Sequence, residues 1–379
     1  MNIREYFPLA KAHGKAFCNR VEETHWLLDN IKACKHSLLI GPRRYGKSSL
    51  AEKAITLGSY PVTILNFNIC SDENDIENLI RHGISNLIEK ALGPIDKIIH
   101  LIKSSLTNFV PKLTMGTETT SFALELNPTK KNSPALYVAE ALTLMEKLLA
   151  KKNKRAVLVL DEFQMVGIIA EGSGVEAAIR NSAQDMKHLA IIFSGSFRGL
   201  LKSMFEDKNK PLYKLCRKLH LKRIGNEHYI NHLNEAALLA WNKKLNSSVF
   251  QKIMSLSERH PYYVNYLCDI IWSQNSKLPT IQHVENAWNM LLEEEKSDAN
   301  VEISQLSMVQ KKVLKYIANC SSDNLSSASA VGIMGVGASS ISAAISVLLA
   351  KDIIEKEEHK YFIINPVVHQ LMKEQSAIE

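Results

Sequence analysis

Gly41-Pro42-Arg43-Arg44-Tyr45-Gly46-Lys47-Ser48 decides how the rest of the chain is read. The octet satisfies G-x-x-x-x-G-K-[ST] at each required position. It follows the apolar run Ser37–Ile40 and precedes the helical stretch Ser49-Leu50-Ala51-Glu52-Lys53-Ala54, so the context the motif needs comes with the string. The two glycines let backbone N–H groups curl around phosphate oxygens, and the helix that follows turns its positive end toward them. Lys47 brings an ammonium to the β and γ oxygens, and the Ser48 hydroxyl is placed to ligate Mg²⁺. Residues Gly41 to Ser49 are therefore the expected contacts for ATP or ADP with Mg²⁺. The alternative is a chance glycine-rich turn.

Outward from this loop, further short apolar runs at 62–67, 156–160, 189–193 and 218–221 are separated by amphipathic stretches. That alternation predicts an α/β fold, with a five-stranded parallel sheet covered by helices and ligand groups gathered at the carboxyl ends of the strands. The run Arg155-Ala156-Val157-Leu158-Val159-Leu160 ends in Asp161-Glu162. Asp161 is placed to hold Mg²⁺, and Glu162 to orient or deprotonate a water, a task for a carboxylate near the metal but not on it. A strand that merely ends in solvated acids is the bland reading. The next run ends in Ser194-Gly195-Ser196, where Ser196 first and Ser194 second are candidates to bond a γ-phosphate or the attacking water. The competing role for Ser196 is to cap the helix expected from Phe197.

Between the second and third runs lies an insert at about 72–150. It has helical periodicity over 75–106, a hairpin over 109–126 turning at Met115-Gly116, a polar loop over 127–134, and helical spacing again over 135–151. The sheet domain is expected over 1–224. A wholly helical lid follows over 225–300, its last residues, 293–300, reading as a charged linker, and a terminal module occupies 301–379.

Together with Pro211-Leu212-Tyr213, these motifs resemble the prokaryotic archaeal-type AAA+ ATPases, relatives of the STAND switches and of initiator ATPases, over nearly the whole chain. The resemblance implies a P-loop core, a helical lid and a C-terminal winged helix. Phe17-Cys18-Asn19-Arg20-Val21-Glu22-Glu23 is similar to the family's F-x-x-R-x-x-E box, with Asn19 where Gly is common, which places Arg20 beside the adenine. Arg217 matches the arginine that reaches a neighbouring protomer's γ-phosphate; the plainer reading is a surface arginine on a basic strand edge with Lys214, Lys218 and Lys222. Arg259-His260-Pro261 is similar to the lid's Gly-x-Pro element, with Pro261 against the base and Arg259 in the glycine's place. Arg259 is then either a second arginine sensor or a solvent-facing helix residue.

In the terminal module the order is helix, helix, small-residue turn at Gly335-Val336-Gly337, helix, hairpin. The helix beginning at Ala338 offers no Arg, Lys, Asn or Gln through Leu349 for reading bases. Lys351, Lys356 and Lys360 favour phosphate contacts and Glu355, Glu357 and Glu358 oppose them, so nucleic acid is weakly supported.

Composition agrees with a globular chain. It has 379 residues, 46% hydrophobic and 22% charged, and 46 Lys and Arg against 39 Asp and Glu give +7. Six cysteines with no C-x-x-C pair fit a reduced setting. With no secretory pattern at the amino end and no long apolar run, the expectation is a cytoplasmic, membrane-free ATPase. It would be a homo-oligomer or bind a partner protein. The alternatives are a nucleotide-gated switch with little turnover and a DNA-stimulated ATPase.

Overall fold

The computed structural model describes residues 5–93, 102, 109–115, 120–126, 133–320 and 323–377. In chain order the first elements are α1 (Val21–Lys32), β1 (Ser37–Ile40), α2 (Lys47–Gly58), β2 (Val62–Asn66), α3 (Glu73–Leu92), β3 (Phe109–Met115), β4 (Thr120–Leu126) and α4 (Pro134–Lys151). Then come β5 (Ala156–Asp161), α5 (Gln164–Ile169), α6 (Val175–Ala183), β6 (Leu189–Gly195), α7 (Arg198–Glu206) and β7 (Arg217–His220). The remainder is α8 (Asn226–Trp241), α9 (Ser247–Ser257), α10 (Pro261–Gln274), α11 (Ile281–Ser304), α12 (Met308–Asn319), α13 (Ala328–Met334), α14 (Ala338–Ala350), β8 (Ile354–Glu357), β9 (Lys360–Ile363) and α15 (Pro366–Ala377).

These elements form two compact units. One consists of Val21–Gly41 and Leu50–Leu221; the other of Met1–Arg20, Pro42–Ser49 and Lys222–Glu379. The first unit is built on five parallel strands in the order β2-β5-β6-β1-β7. Strands β1 and β6 are buried at every residue and β5 at all but its last, as strands covered on both faces must be, whereas the edge strands β2 and β7 are partly or mostly exposed. Helices α3 and α4 open with side-chain caps: Asp72 accepts from the Asp75 amide, and Ser133 from the Leu136 amide ahead of Pro134. The hairpin expected over 109–126 is present as β3 paired antiparallel with β4. Its turn at Gly116, helical periodicity beyond Leu92 other than at residue 102, and the polar loop over 127–132 lie outside the described residues.

The second unit is helical from α8 to α14, then carries the antiparallel pair β8–β9 and a closing helix, α15, that the sequence pattern did not announce. The expected linker over 293–300 is a correction: those residues continue α11 without a break. Leu291, Ala299 and Ile303 keep one-face spacing through the charged stretch and are buried, and Glu295 between them accepts from the Tyr262 and Tyr263 hydroxyls at 3.2 and 3.4 Å. The acids are thus the outer face and one satisfied inner position of a helix. Among the described residues no single helix is long and apolar enough to cross a membrane.

His232 sits in the apolar interior of this unit, 4.8 Å from the Tyr6 ring and 6.0 Å from that of Phe7, and its Nε2 has no partner among the described residues. Burial pushes its pKa down from 6.5 to about 4, against a weaker upward pull from Glu235. The unfolded chain therefore takes up a proton near pH 6.5 that the folded chain refuses until about pH 4. Its contribution is complete above the unfolded value and is lost as pH falls through that window, by roughly 3 kcal/mol in all. Between pH 7.5 and 4 the melting midpoint of wild type should fall more steeply than that of His232→Phe, which has no group to protonate there. Parallel curves would refute the assignment.

Candidate functional site

In the strand unit, β1 and β5 flank β6 and all three run the same way. In register Ile40 lies opposite Gly195, and Leu160 opposite Phe193. Gly41, Asp161, Ser194 and Ser196 therefore leave the sheet at one edge, as expected for the carboxyl ends of an open α/β sheet. The Ser194 hydroxyl donates to Asp161 Oδ1 at 2.5 Å, and the Glu162 amide to the same oxygen at 3.1 Å. Glu162 itself holds φ +51°, the left-handed region that residues other than glycine seldom adopt. Its Oε2 accepts from Gln164 Nε2 at 2.6 Å, from the Ser196 amide at 3.1 Å and from the Ser196 hydroxyl at 2.9 Å. Serines at the end of the neighbouring strand thus hold both carboxylates.

Ser196 is thereby placed on the carboxylate rather than on a helix end. Helix α7 begins after Phe197 without any side-chain cap. Gln164 is a residue whose part the sequence did not reveal. It is buried, orients Glu162, and leaves its Oε1 without a partner among the described residues. Gly195 makes room for it, since a Cβ there would lie 2.0 Å from that oxygen and 2.9 Å from Leu201 Cδ1. Gly195→Ala should destabilise the fold by about 1–3 kcal/mol through overpacking and turn the Glu162 carboxylate loose. A melting midpoint equal to that of wild type would show that Gln164 simply moves aside.

Arg217 opens β7, paired in register with Ser37, while His220 pairs with Ile40. It therefore stands at the amino edge of the sheet, about 10 Å along the strand from the edge where Gly41 leaves. There it is exposed on an edge strand, and its Nη1 donates to Asn30 Oδ1 at 3.3 Å. The structure does not bring it to the edge that carries this chain's Glu162.

In the second unit the phosphate loop spans Pro42 to Ser49. Gly46, at φ +85°, makes the turn into α2 that a side chain would strain, and Arg44 adopts φ +64°. Lys47 is buried, with its Nζ donating to the loop's own Pro42 carbonyl at 3.0 Å, so the ammonium closes over the loop's interior. Ser48 is half-buried, and the Ser49 hydroxyl accepts from the Ala12 amide at 3.0 Å. Arg43 and Arg44 are exposed. Arg44 lies 3.9 Å over the Tyr262 ring and 3.9 Å from Glu295.

Three sequence motifs meet in one pocket of this unit. Phe17, Cys18 and Arg20 from the box, Tyr45 and Gly46 from the loop, and Pro261 from the lid element all line it. Arg20 is buried and donates to the Lys222 carbonyl at 2.6 Å. Asn19 and Arg259, standing where the family's motifs have glycine, hold φ +54° and +60°. The backbone thus keeps the conformation for which glycine is suited even though the side chains differ. Arg259 is exposed in the turn between α9 and α10, not on a helix. Pro261 starts α10, where its missing N–H costs nothing.

Among the described residues no group of three or more His, Cys, Asp or Glu converges as a metal site. Taken each in its own unit, the Ser48 hydroxyl and the Asp161 carboxylate are hard oxygen donors of the kind Mg²⁺ accepts.

No family model and no curated protein matches the chain. Among solved structures it is similar to the Walker-type ATPase PABY2304 of Pyrococcus abyssi, with 18% identity, a TM-score of 0.69, and coverage of 97% of this chain and 99% of that one. It is also similar to the Aeropyrum pernix ORC2 protein, solved as ADPNP–ADP complexes, with 13% identity, TM-score 0.53, and coverage of 95% and 96%. The Aeropyrum pernix ORC1 protein, solved in complex with DNA, gives 13% identity, TM-score 0.51, and coverage of 99% and 97%. With its five-stranded parallel sheet, loop and helical units, the chain has the α/β fold of the AAA+ P-loop ATPases.

Proposed function

We propose that the protein binds ATP with Mg²⁺ and hydrolyses it, coupling nucleotide state to a change in residues 225–379. The observation that carries this reading is the pairing at one sheet edge of an anchored Asp161 with a Glu162 carboxylate held by Ser196 and Gln164, with β6 between their strand and the one that feeds Gly41. Lys47 and the loop amides would hold the phosphates, with Ser48 and Asp161 on the metal. Glu162 would orient and deprotonate the water. Magnesium, when bound, supplies charge that offsets the oxygens. Arg217, remote from this edge in its own chain, would serve a neighbouring copy's nucleotide, which implies a homo-oligomer. Arg20 and Pro261 would flank the base in the pocket that they line.

A second reading, a gate with little turnover, is favoured by the three hydrogen bonds on Glu162 Oε2, which stabilise a carboxylate turned toward protein rather than toward water. Residues 301–379 are read as a winged helix that meets a partner or, less strongly, nucleic acid. Glu355 does not oppose phosphate there, because it is buried. Steady-state phosphate release with Mg²⁺ tests the enzyme reading. Turnover by wild type, alone or with duplex DNA, supports it; none under either condition leaves the gate.

A further inference from the structure

Tyr45, the fifth residue of the phosphate loop, is 1% exposed, and its ring meets His260 edge-on at 4.9 Å. Its hydroxyl donates to Glu355 Oε1 on β8 at 3.3 Å and accepts from Arg223 Nε at 3.1 Å. Arg223 uses the rest of its fork as fully. Nη1 donates to the Glu258 carbonyl at 2.8 Å and carboxylate at 3.0 Å, and Nη2 to the Ile363 and Ile364 carbonyls at 3.0 and 3.2 Å. A guanidinium has five N–H groups, and here five acceptors meet them. Glu258 in turn pairs with His369 on α15, and Glu355 lies 3.4 Å from Arg223 Nε. All these residues belong to the same compact unit.

A buried charge cluster of this kind is stable only while every member keeps its partners, because removing one leaves the others desolvated and unmatched. The loop residue at its centre is therefore fixed by groups that follow it by 178 and 310 residues in the chain. Fixing the Tyr45 ring fixes the backbone from which the Gly46 and Lys47 amides project. Phosphate binding gains from donors that are already in place.

We propose that Arg223 and Glu355 are positioning residues of the nucleotide site. They act through Tyr45, so the hairpin β8–β9 tightens when the loop carries a nucleoside triphosphate. This rests on reading the loop as a nucleotide site. Coupling of this form is reciprocal: what the hairpin adds to ATP affinity, ATP adds to hairpin order.

The test uses the full chain, with ATP·Mg²⁺ titrated calorimetrically and amide hydrogen exchange followed over 354–364. Tyr45→Phe removes only the hydroxyl and keeps the ring against His260. It should weaken ATP binding about tenfold, the worth of one hydrogen bond to a charged partner, and abolish ATP-induced protection of the hairpin, with a modestly lowered melting midpoint because Glu355 still lies 3.4 Å from Arg223 Nε. Arg223→Lys keeps the charge but not the fork, so it should weaken ATP binding and hairpin protection likewise and lower the melting midpoint further, since three N–H groups cannot meet five acceptors. Wild-type affinity and wild-type hairpin protection in Tyr45→Phe would overturn the proposal and leave the nucleotide reading standing. Failure of the wild type to bind ATP at all would overturn both.

Discussion

Lys47→Ala should bind ATP·Mg²⁺ at least about a hundredfold more weakly than wild type, a loss of roughly 3 kcal/mol, because it removes the buried ammonium that would meet the β and γ oxygens. The effect on folding should be small. Nζ donates to the Pro42 carbonyl of the same loop at 3.0 Å, and Lys47 is 7% exposed. Lys47→Met keeps most of the stem in that space and separates lost charge from lost packing. Equilibrium titration with ATP·Mg²⁺ decides the matter, with the melting midpoint as a control. Affinity unchanged in both variants would end the nucleotide reading, since no other cation of the loop is buried with the phosphate-facing backbone.

Glu162→Gln should bind ATP as wild type does and lose turnover by about 10²–10⁴-fold, the usual contribution of a positioned general base. An amide keeps the shape and still offers an oxygen to the Ser196 amide and hydroxyl, which donate to Oε2 at 3.1 and 2.9 Å. It cannot take a proton from water. The signature is a fall in kcat with little change in KM, read from phosphate release against ATP concentration. Phosphate release by the variant at the wild-type rate would remove Glu162 from the chemistry. Asp161→Asn offers a contrast: as the proposed metal ligand, its loss should raise the Mg²⁺ requirement instead.

Much of this architecture is legible in local sequence. The runs that become β1, β5 and β6 are apolar at nearly every position because both faces of the sheet are covered, and a periodicity of that kind needs no tertiary information. The phosphate loop is legible for a similar reason: its glycines, lysine and serine act through backbone angles and spacing within eight residues. The charged stretch over 293–300 misleads, since composition cannot distinguish a solvated linker from the outer face of a long helix. Only the burial of Ala299 and Ile303 on the same face as Leu291 shows α11 running on. Gln164 is not legible in the sequence, because a glutamine after an acidic pair has no chemical signature until its amide is seen against Glu162.

The sequence by itself determined the strands, the loop and the identity of the carboxylates, because each depends on residues a few positions apart. The tertiary structure alone decided what holds those groups: Ser196 on Glu162, Ser194 on Asp161, and Arg223 with Glu355 on Tyr45. Partners separated by 33 to 310 residues leave no periodic trace in a chain. Hydrogen bonds act over about 3 Å, so a pairing of this kind exists only once folding has brought both ends together.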